Sequence, residues 1–208
     1  MIEEFAYQLM KAMAKSVTYS DKWAGLVVPM KKMVNKVEKI IPVAINSNFI
    51  TNNSDYIDLV PNSTKMSIMY CERNGLTTTI SESRNYSIMA TRIRLVVWYN
   101  CNLMNAGEWI DEGVVATNFV NGLPRRFPNT DLTYIKNVAL FNPLVVHGED
   151  IFNKYTYDDV RTQFMTFPYG AFAVDVDIQY THVKCAETII PTPDCASPYL
   201  GTECIPKP

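Results

Sequence analysis

The chain has 208 residues, of which 48% are hydrophobic and 19% are charged, and its formal net charge is −2 at pH 7. This length and composition predict one packed domain, with or without appendages, and they argue against global disorder. Dedicated nucleic-acid-binding proteins usually have an excess of Lys and Arg over Asp and Glu, and this chain has no such excess.

The N-terminal part of the chain predicts one helix followed by strands. Apolar side chains recur every three or four residues in residues 2–16, which indicates an amphipathic helix. Residues 23–30 and 37–45 are strand candidates, and Pro42 places the second at a sheet edge or a bulge. Residues 46–64 are rich in Asn, Ser, Thr and Asp and predict a long loop.

A three-strand antiparallel meander is expected next. Residues 65–72 form a strand pattern, and Asn74-Gly75 is a strong hairpin signal that predicts a return strand at residues 77–80. A polar connection then leads into a long strand pattern at residues 86–100.

The second half of the chain predicts a central helix and more strand. An apolar stripe in residues 107–121 indicates the helix. Residues 132–146 are strand-like with a break at Asn142-Pro143, and residues 149–161 fit a short helix or a loop.

Residues 172–182 alternate strictly between apolar and polar side chains, which is typical of a half-buried strand. At about 3.3 Å per residue, this strand and residues 86–100 would each span roughly 35–50 Å, which suggests that they pair or pack with neighbouring subunits. We therefore expect an α+β fold: a mostly antiparallel twisted sheet with two long strands, flanked by the N-terminal and central helices.

Five of the twelve prolines lie in residues 188–208, so the sequence predicts a single α+β domain over residues 1–186 and an extended C-terminal arm over residues 187–208. We expect neither a signal peptide nor a membrane partner. The five cysteines are expected to be reduced, with a disulfide among Cys185, Cys195 and Cys204 left open.

Two charged pairs are the main candidates for a site. Asp175 and Asp177 share one face of their strand, and Arg92 and Arg94 share one face of the other long strand, so we expect them to pair across the sheet. The alternative is a divalent-cation or acid–base site, for which His147 or His182 would be the third group.

The usual catalytic and phosphate-binding motifs are missing from the sequence, so we expect no enzyme, no catalytic residue, no cofactor and no bound metal. Large aromatic residues are enriched at interfaces. The residues expected at an interface are Arg92, Arg94, Trp98, Asp175 and Asp177. The adjacent Arg125 and Arg126 form a basic point that would face a DNA channel or an acidic partner, unless they belong to a solvated loop.

The order of elements, together with RIRLVVWYN at residues 92–100 and FPYGAFAVDVDIQY at residues 167–180, resembles the neck and tail-completion (tail terminator or ring) proteins of tailed bacteriophages, crAss-like phages in particular. The resemblance covers roughly residues 1–182. It implies a virion structural protein, made in the host cytoplasm, that forms a six- or twelve-fold ring. The ring would join the portal or connector to tail proteins and contact packaged DNA transiently and non-specifically.

Two other functions stay open. One is a monomeric β-rich module that binds a ligand in a pocket lined by Tyr and Trp side chains. The other is a metal-dependent enzyme centred on Asp175, Asp177 and one of the two histidines.

Overall fold

The structure is a computed structural model that describes residues 2–34, 36–45, 56–105, 108–127, 135–156 and 166–184. In chain order its elements are α1 (Ile2–Ser16), β1 (Lys22–Val34), β2 (Val37–Ile45), β3 (Tyr56–Asp58), β4 (Ser67–Arg73), β5 (Thr78–Glu82), β6 (Tyr86–Asn100), α2 (Cys101–Met104), α3 (Glu112–Gly122), β7 (Arg126–Phe127), β8 (Ile135–His147), a 3-10 helix (Glu149–Phe152) and β9 (Tyr169–Val183). The predicted arm, the three cysteines Cys185, Cys195 and Cys204, and residues 46–55 of the predicted 46–64 loop lie outside the described residues.

One mixed sheet connects all the strands of the described residues. Its order is β3-β2-β1-β4-β6-β9-β8-β7, and β5 pairs with β6 beyond the end of β4. The β1–β4 pair is parallel, and the other pairs are antiparallel. The predicted α+β class, with its mostly antiparallel sheet and its N-terminal and central helices, is confirmed.

Strands β6 and β9 form the centre of the sheet and pair without interruption. Their register runs from Tyr86 opposite Val183 to Asn100 opposite Tyr169. Both strands are rich in β-branched and aromatic residues, which pack well on a pleated surface. The two long strands predicted from the sequence are therefore confirmed, and they pair with each other inside one chain.

The hairpin predicted at Asn74-Gly75 is wrong. Strand β5 pairs with β6 and not with β4, and the Asn74 N–H donates to the Arg92 carbonyl at 3.1 Å. The chain therefore keeps its direction along β6 and is only interrupted at Asn74. It reverses later, where the Ser83 N–H donates to the Tyr86 carbonyl at 2.9 Å.

Each face of the sheet has its own hydrophobic core. Helices α1 and α3 cover one face, here called the helix face, where Phe5, Leu9 and Phe119 pack against alternate residues of β6 and β9. On the opposite face, the β1–β2 hairpin and the 3-10 helix cover only part of the sheet. Strand β9 is therefore buried on both sides from Gly170 to Val176, which corrects the prediction of a half-buried strand along its whole length.

Local signals set the helix boundaries. The Asp111 carboxylate accepts hydrogen bonds from the N–H groups of Gly113 and Val114, at 2.7 and 3.3 Å, so α3 begins at Glu112 and not at the predicted residue 107. Helix α1 approaches β1 so closely that a Cβ atom at Gly25 would lie 2.9 Å from the Cα atom of Tyr7.

Gly25→Ala is therefore expected to lower the free energy of unfolding by about 1–3 kcal/mol, because backbone atoms of α1 would have to move. Gly75→Ala is the matched control, since its added Cβ would lie 3.5 Å from the Arg92 Cβ atom, an ordinary contact. Urea unfolding monitored by circular dichroism measures both. Equal stability of the two variants would contradict the close helix–strand contact.

Candidate interaction surface

The register of the two central strands places two arginines opposite two aspartates. Arg92 lies opposite Asp177, and Arg94 lies opposite Asp175. All four side chains lie on the face opposite the helices, because along β6 and β9 they alternate with residues of the core on the helix face. The cross-strand pairing expected from the sequence is confirmed.

The Arg94–Asp175 pair is bidentate and mostly buried. The Arg94 Nε donates to Asp175 Oδ1 at 2.8 Å, and its Nη2 donates to Oδ2 at 2.9 Å. The Asn74 Nδ2 donates to the same Oδ1 at 2.9 Å. The two charged side chains are 17% and 10% exposed, so solvent screens this pair weakly.

The Arg92–Asp177 pair is more open to solvent. The Arg92 Nε donates to Asp177 Oδ1 at 2.7 Å, and the Asn142 Nδ2 donates to Oδ2 at 3.3 Å. The hydrogen bond from Arg92 lowers the pKa of Asp177, and the bond to Asp177 raises the pKa of Arg92. Asn142 reaches this carboxylate from a bulge in β8, where its φ is 49°. The predicted break at Asn142-Pro143 is thus a bulge within one strand.

This geometry argues against a metal-dependent enzyme centred on Asp175 and Asp177. All four carboxylate oxygens of Asp175 and Asp177 accept hydrogen bonds from arginine or asparagine. His182 points to the helix face by its strand parity, and the His147 Nδ1 contacts a Glu112 carboxylate oxygen. Across the described ranges, no three His, Cys, Asp or Glu side chains are grouped to hold a metal ion.

Next to the ion pairs, the same face is covered by the second hydrophobic core, which lies under the β1–β2 hairpin and the 3-10 helix. Trp98 is fully buried there, and its ring stacks on Tyr169 with centroids 5.5 Å apart. Glu72 is 3% exposed and accepts hydrogen bonds from the Tyr155 hydroxyl at 2.6 Å and the Lys154 Nζ at 2.9 Å. These bonds hold the residues that follow the 3-10 helix on the sheet. Trp98 has no surface left for a partner, which corrects its expected place at an interface.

Beyond the ion pairs, this face is uncovered. The Arg92–Asp177 pair lines a shallow groove of about 520 Å³ between β5 and β8. Large apolar side chains at and beside the groove are exposed: Leu76, Ile80, Phe141 and Leu144. We call this region, with Arg92 and Asp177, the open sheet face. The open sheet face thus contains an ion pair that the sequence placed at an interface. The apolar surface around this pair was not predicted from the sequence.

The two other predicted site residues lie elsewhere. Arg125 and Arg126 are exposed, and β7 pairs through Arg126 and Phe127 with Ala139 and Val138 of β8, at the end of the sheet order. The structure does not bring them into the open sheet face, and their contact with DNA or an acidic partner stays a prediction.

A separate cleft of about 390 Å³ lies where β6 ends and β9 begins. Its lining includes Tyr99, Trp109, Phe167 and Tyr169, so we call it the aromatic cleft. It has the Tyr and Trp lining that the ligand-binding alternative expects.

Sequence reasoning did not identify the two asparagines that complete the ion pairs. The sequence predicts a hairpin turn at Asn74 and a break in a strand-like run at Asn142. The signal in both cases was an Asn beside Gly or Pro, which marks an irregular backbone position but does not say which side chain it will meet.

No protein-family model matches the chain, and no curated protein is significantly similar to it in sequence. In the described residues, no helix combines the length and the apolar character needed to cross a bilayer.

Arg94→Ala is expected to cost about 3 kcal/mol of unfolding free energy, because it leaves the Asp175 carboxylate mostly buried without its counter-charge. Arg92→Ala, the matched control one pair along, should cost clearly less, because solvent screens that more exposed pair. Denaturant titrations at neutral pH measure the difference. Equal costs would show that burial does not distinguish the pairs.

Proposed function

We propose that the chain is a virion structural protein, a subunit of a homo-oligomeric ring at the neck or tail of a tailed bacteriophage. The ring joins the portal or connector to tail proteins and forms part of the DNA conduit. The observation that carries the proposal is the open sheet face, an apolar surface around a neutralised ion pair.

The open sheet face has the composition of a protein-binding surface. Leu76 is 88% exposed and Leu144 is 62% exposed, while Ile80 and Phe141 add apolar area beside them. Burying these four side chains would contribute about 4 kcal/mol from apolar area alone. Contiguous exposed apolar surface of this kind marks interaction sites in folded proteins.

The occupant that we propose is the β1–β2 hairpin of a second copy. The β1–β4 pairing covers Lys22 to Leu26, so the distal part of the hairpin extends beyond β4 as a two-stranded ribbon. Near its tip, Met33 is 64% exposed and Val37 is 56% exposed. This ribbon tip is a second apolar surface, distinct from the open sheet face.

Contact between two different surfaces of identical chains is heterologous, and it generates a closed ring when the rotation between copies closes. Such an arrangement supports the ring architecture that the phage resemblance implies. The ribbon also has an exposed Lys36 side chain, which suits weak contact with DNA phosphates in a central channel, whereas Lys31 is already paired with Glu38 at 2.8 Å.

The test is the mass of the purified chain and of three variants, measured by light scattering and by imaging of particle symmetry. Ile80→Glu on the open sheet face and Met33→Glu on the ribbon should each shift wild-type rings to monomers, because a buried unpaired carboxylate is costly. Val114→Glu is the matched control, since Val114 is 54% exposed on α3 at the opposite face and should leave the rings intact.

Mixing the Ile80→Glu and Met33→Glu chains tests the heterologous contact directly. Each chain keeps one functional surface, so the mixture should form dimers and stop there. A wild-type chain that stays monomeric at all concentrations and with portal or tail proteins, or rings that both variants leave unchanged, would refute the proposal.

A further inference from the structure

The lining of the aromatic cleft includes two aromatic side chains that are far more exposed than is usual for their size. Trp109, which precedes α3, is 68% exposed, and Phe167, which precedes β9, is 59% exposed. Both line the same cleft. Exposed rings that line one cleft form a surface that suits an apolar ring of a partner.

The floor of the cleft is preformed. A Cβ atom at Gly170 would overlap the ring of Tyr99, so the glycine lets this ring lie directly on the backbone of β9. Tyr169 is held by stacking on the buried Trp98 ring. Lining side chains that are already held in place, such as these two tyrosines, lose little conformational freedom when the cleft is filled.

The walls favour proline as the ligand. Grooves lined with aromatic side chains bind proline-rich segments, which adopt an extended polyproline conformation before binding and therefore lose little entropy. Glu112 is the charged group in the lining, and it is already in contact with His147. Among the described lining residues, an uncharged proline segment would therefore meet no unpaired charge.

This chain has such a segment. Residues 189–193 read Ile-Ile-Pro-Thr-Pro and carry no charge. We propose that the aromatic cleft binds residues 189–193 of a second copy of the chain.

The distance along the sheet favours a second copy over the same chain. The cleft lies at the Tyr169 end of β9, and residues 185–208 follow its other end, about 45 Å away at ~3.3 Å per residue. Pro191 and Pro193 follow Lys184 by seven and nine residues. They reach at most about 32 Å even when the chain is fully extended, which is too short to fill the cleft of their own subunit.

This inference rests on the proposed self-association and adds a second contact to it. The ribbon would occupy the open sheet face of one neighbour, and the proline segment would occupy the aromatic cleft of a neighbour. The two contacts use different residues, so they can be tested separately.

A fluorescein-labelled peptide of residues 186–194, which contains no cysteine, is the probe. Titration with the full-length chain should give saturable binding by fluorescence polarisation. Trp109→Ala should weaken that binding by at least about ten-fold, as expected for an aromatic anchor. A peptide with Pro191→Ser and Pro193→Ser should show the same loss. Val114→Ala, an exposed apolar truncation on α3, should leave the affinity unchanged.

The same titration separates this proposal from the ring proposal. At dilutions where both chains are monomeric, the Ile80→Glu chain should bind the peptide as tightly as the wild type, because Ile80 does not line the cleft. No binding at millimolar peptide, or binding that Trp109→Ala leaves unchanged, would overturn the cleft assignment while leaving the ring proposal intact.

Occupation by the same chain is tested at dilutions where the protein is monomeric. The wild type and a full-length Pro191→Ser/Pro193→Ser chain should then bind the peptide equally well, because the cleft is vacant in both. Ten-fold tighter binding by the double variant would show that each chain fills its own cleft and would overturn the assignment to a second copy.

Discussion

The uninterrupted register between β6 and β9 is the constraint on which the rest of the structure depends. Side chains alternate between the faces of a strand, so a slip of one residue would exchange the contents of the two faces. It would move Phe172 away from Phe119 in the helix-face core, where the ring centroids are 5.6 Å apart, and it would take Arg94 away from Asp175. Apolar burial and charge pairing thus specify the same register.

The two ion pairs lie where one face changes from core to surface. Residues Val96 and Trp98 belong to the second core, Arg94 is mostly buried, and Arg92 is about half exposed. A buried carboxylate is tolerated only with its hydrogen bonds satisfied. The bidentate guanidinium and Asn74 meet this requirement for Asp175. The pairs therefore end the core without leaving an unpaired charge beside it.

The sequence was sufficient for features that depend on local periodicity. The α1 helix over residues 2–16, the alternation in β9 and the pairing of the arginines with the aspartates follow from the spacing of side chains. Features decided by distant contacts were missed. Asn74-Gly75 is a hairpin signal locally, but Asn74 forms hydrogen bonds to Arg92 and Asp175, and the chain continues along β6 in the same direction. The second core was missed because nothing local indicates that the segment ending at Tyr155 folds over the sheet and buries Trp98.

The open sheet face and the ribbon tip belong to one chain, so every copy carries both halves of the proposed contact. A partner that covers the groove must remove water from Arg92 and Asp177, and their existing ion pair with its Asn142 hydrogen bond reduces that cost relative to unpaired charges. An open chain of copies would leave one apolar surface exposed at each end, whereas a closed ring leaves none. A closed assembly, such as the proposed ring, therefore buries these apolar surfaces in every copy.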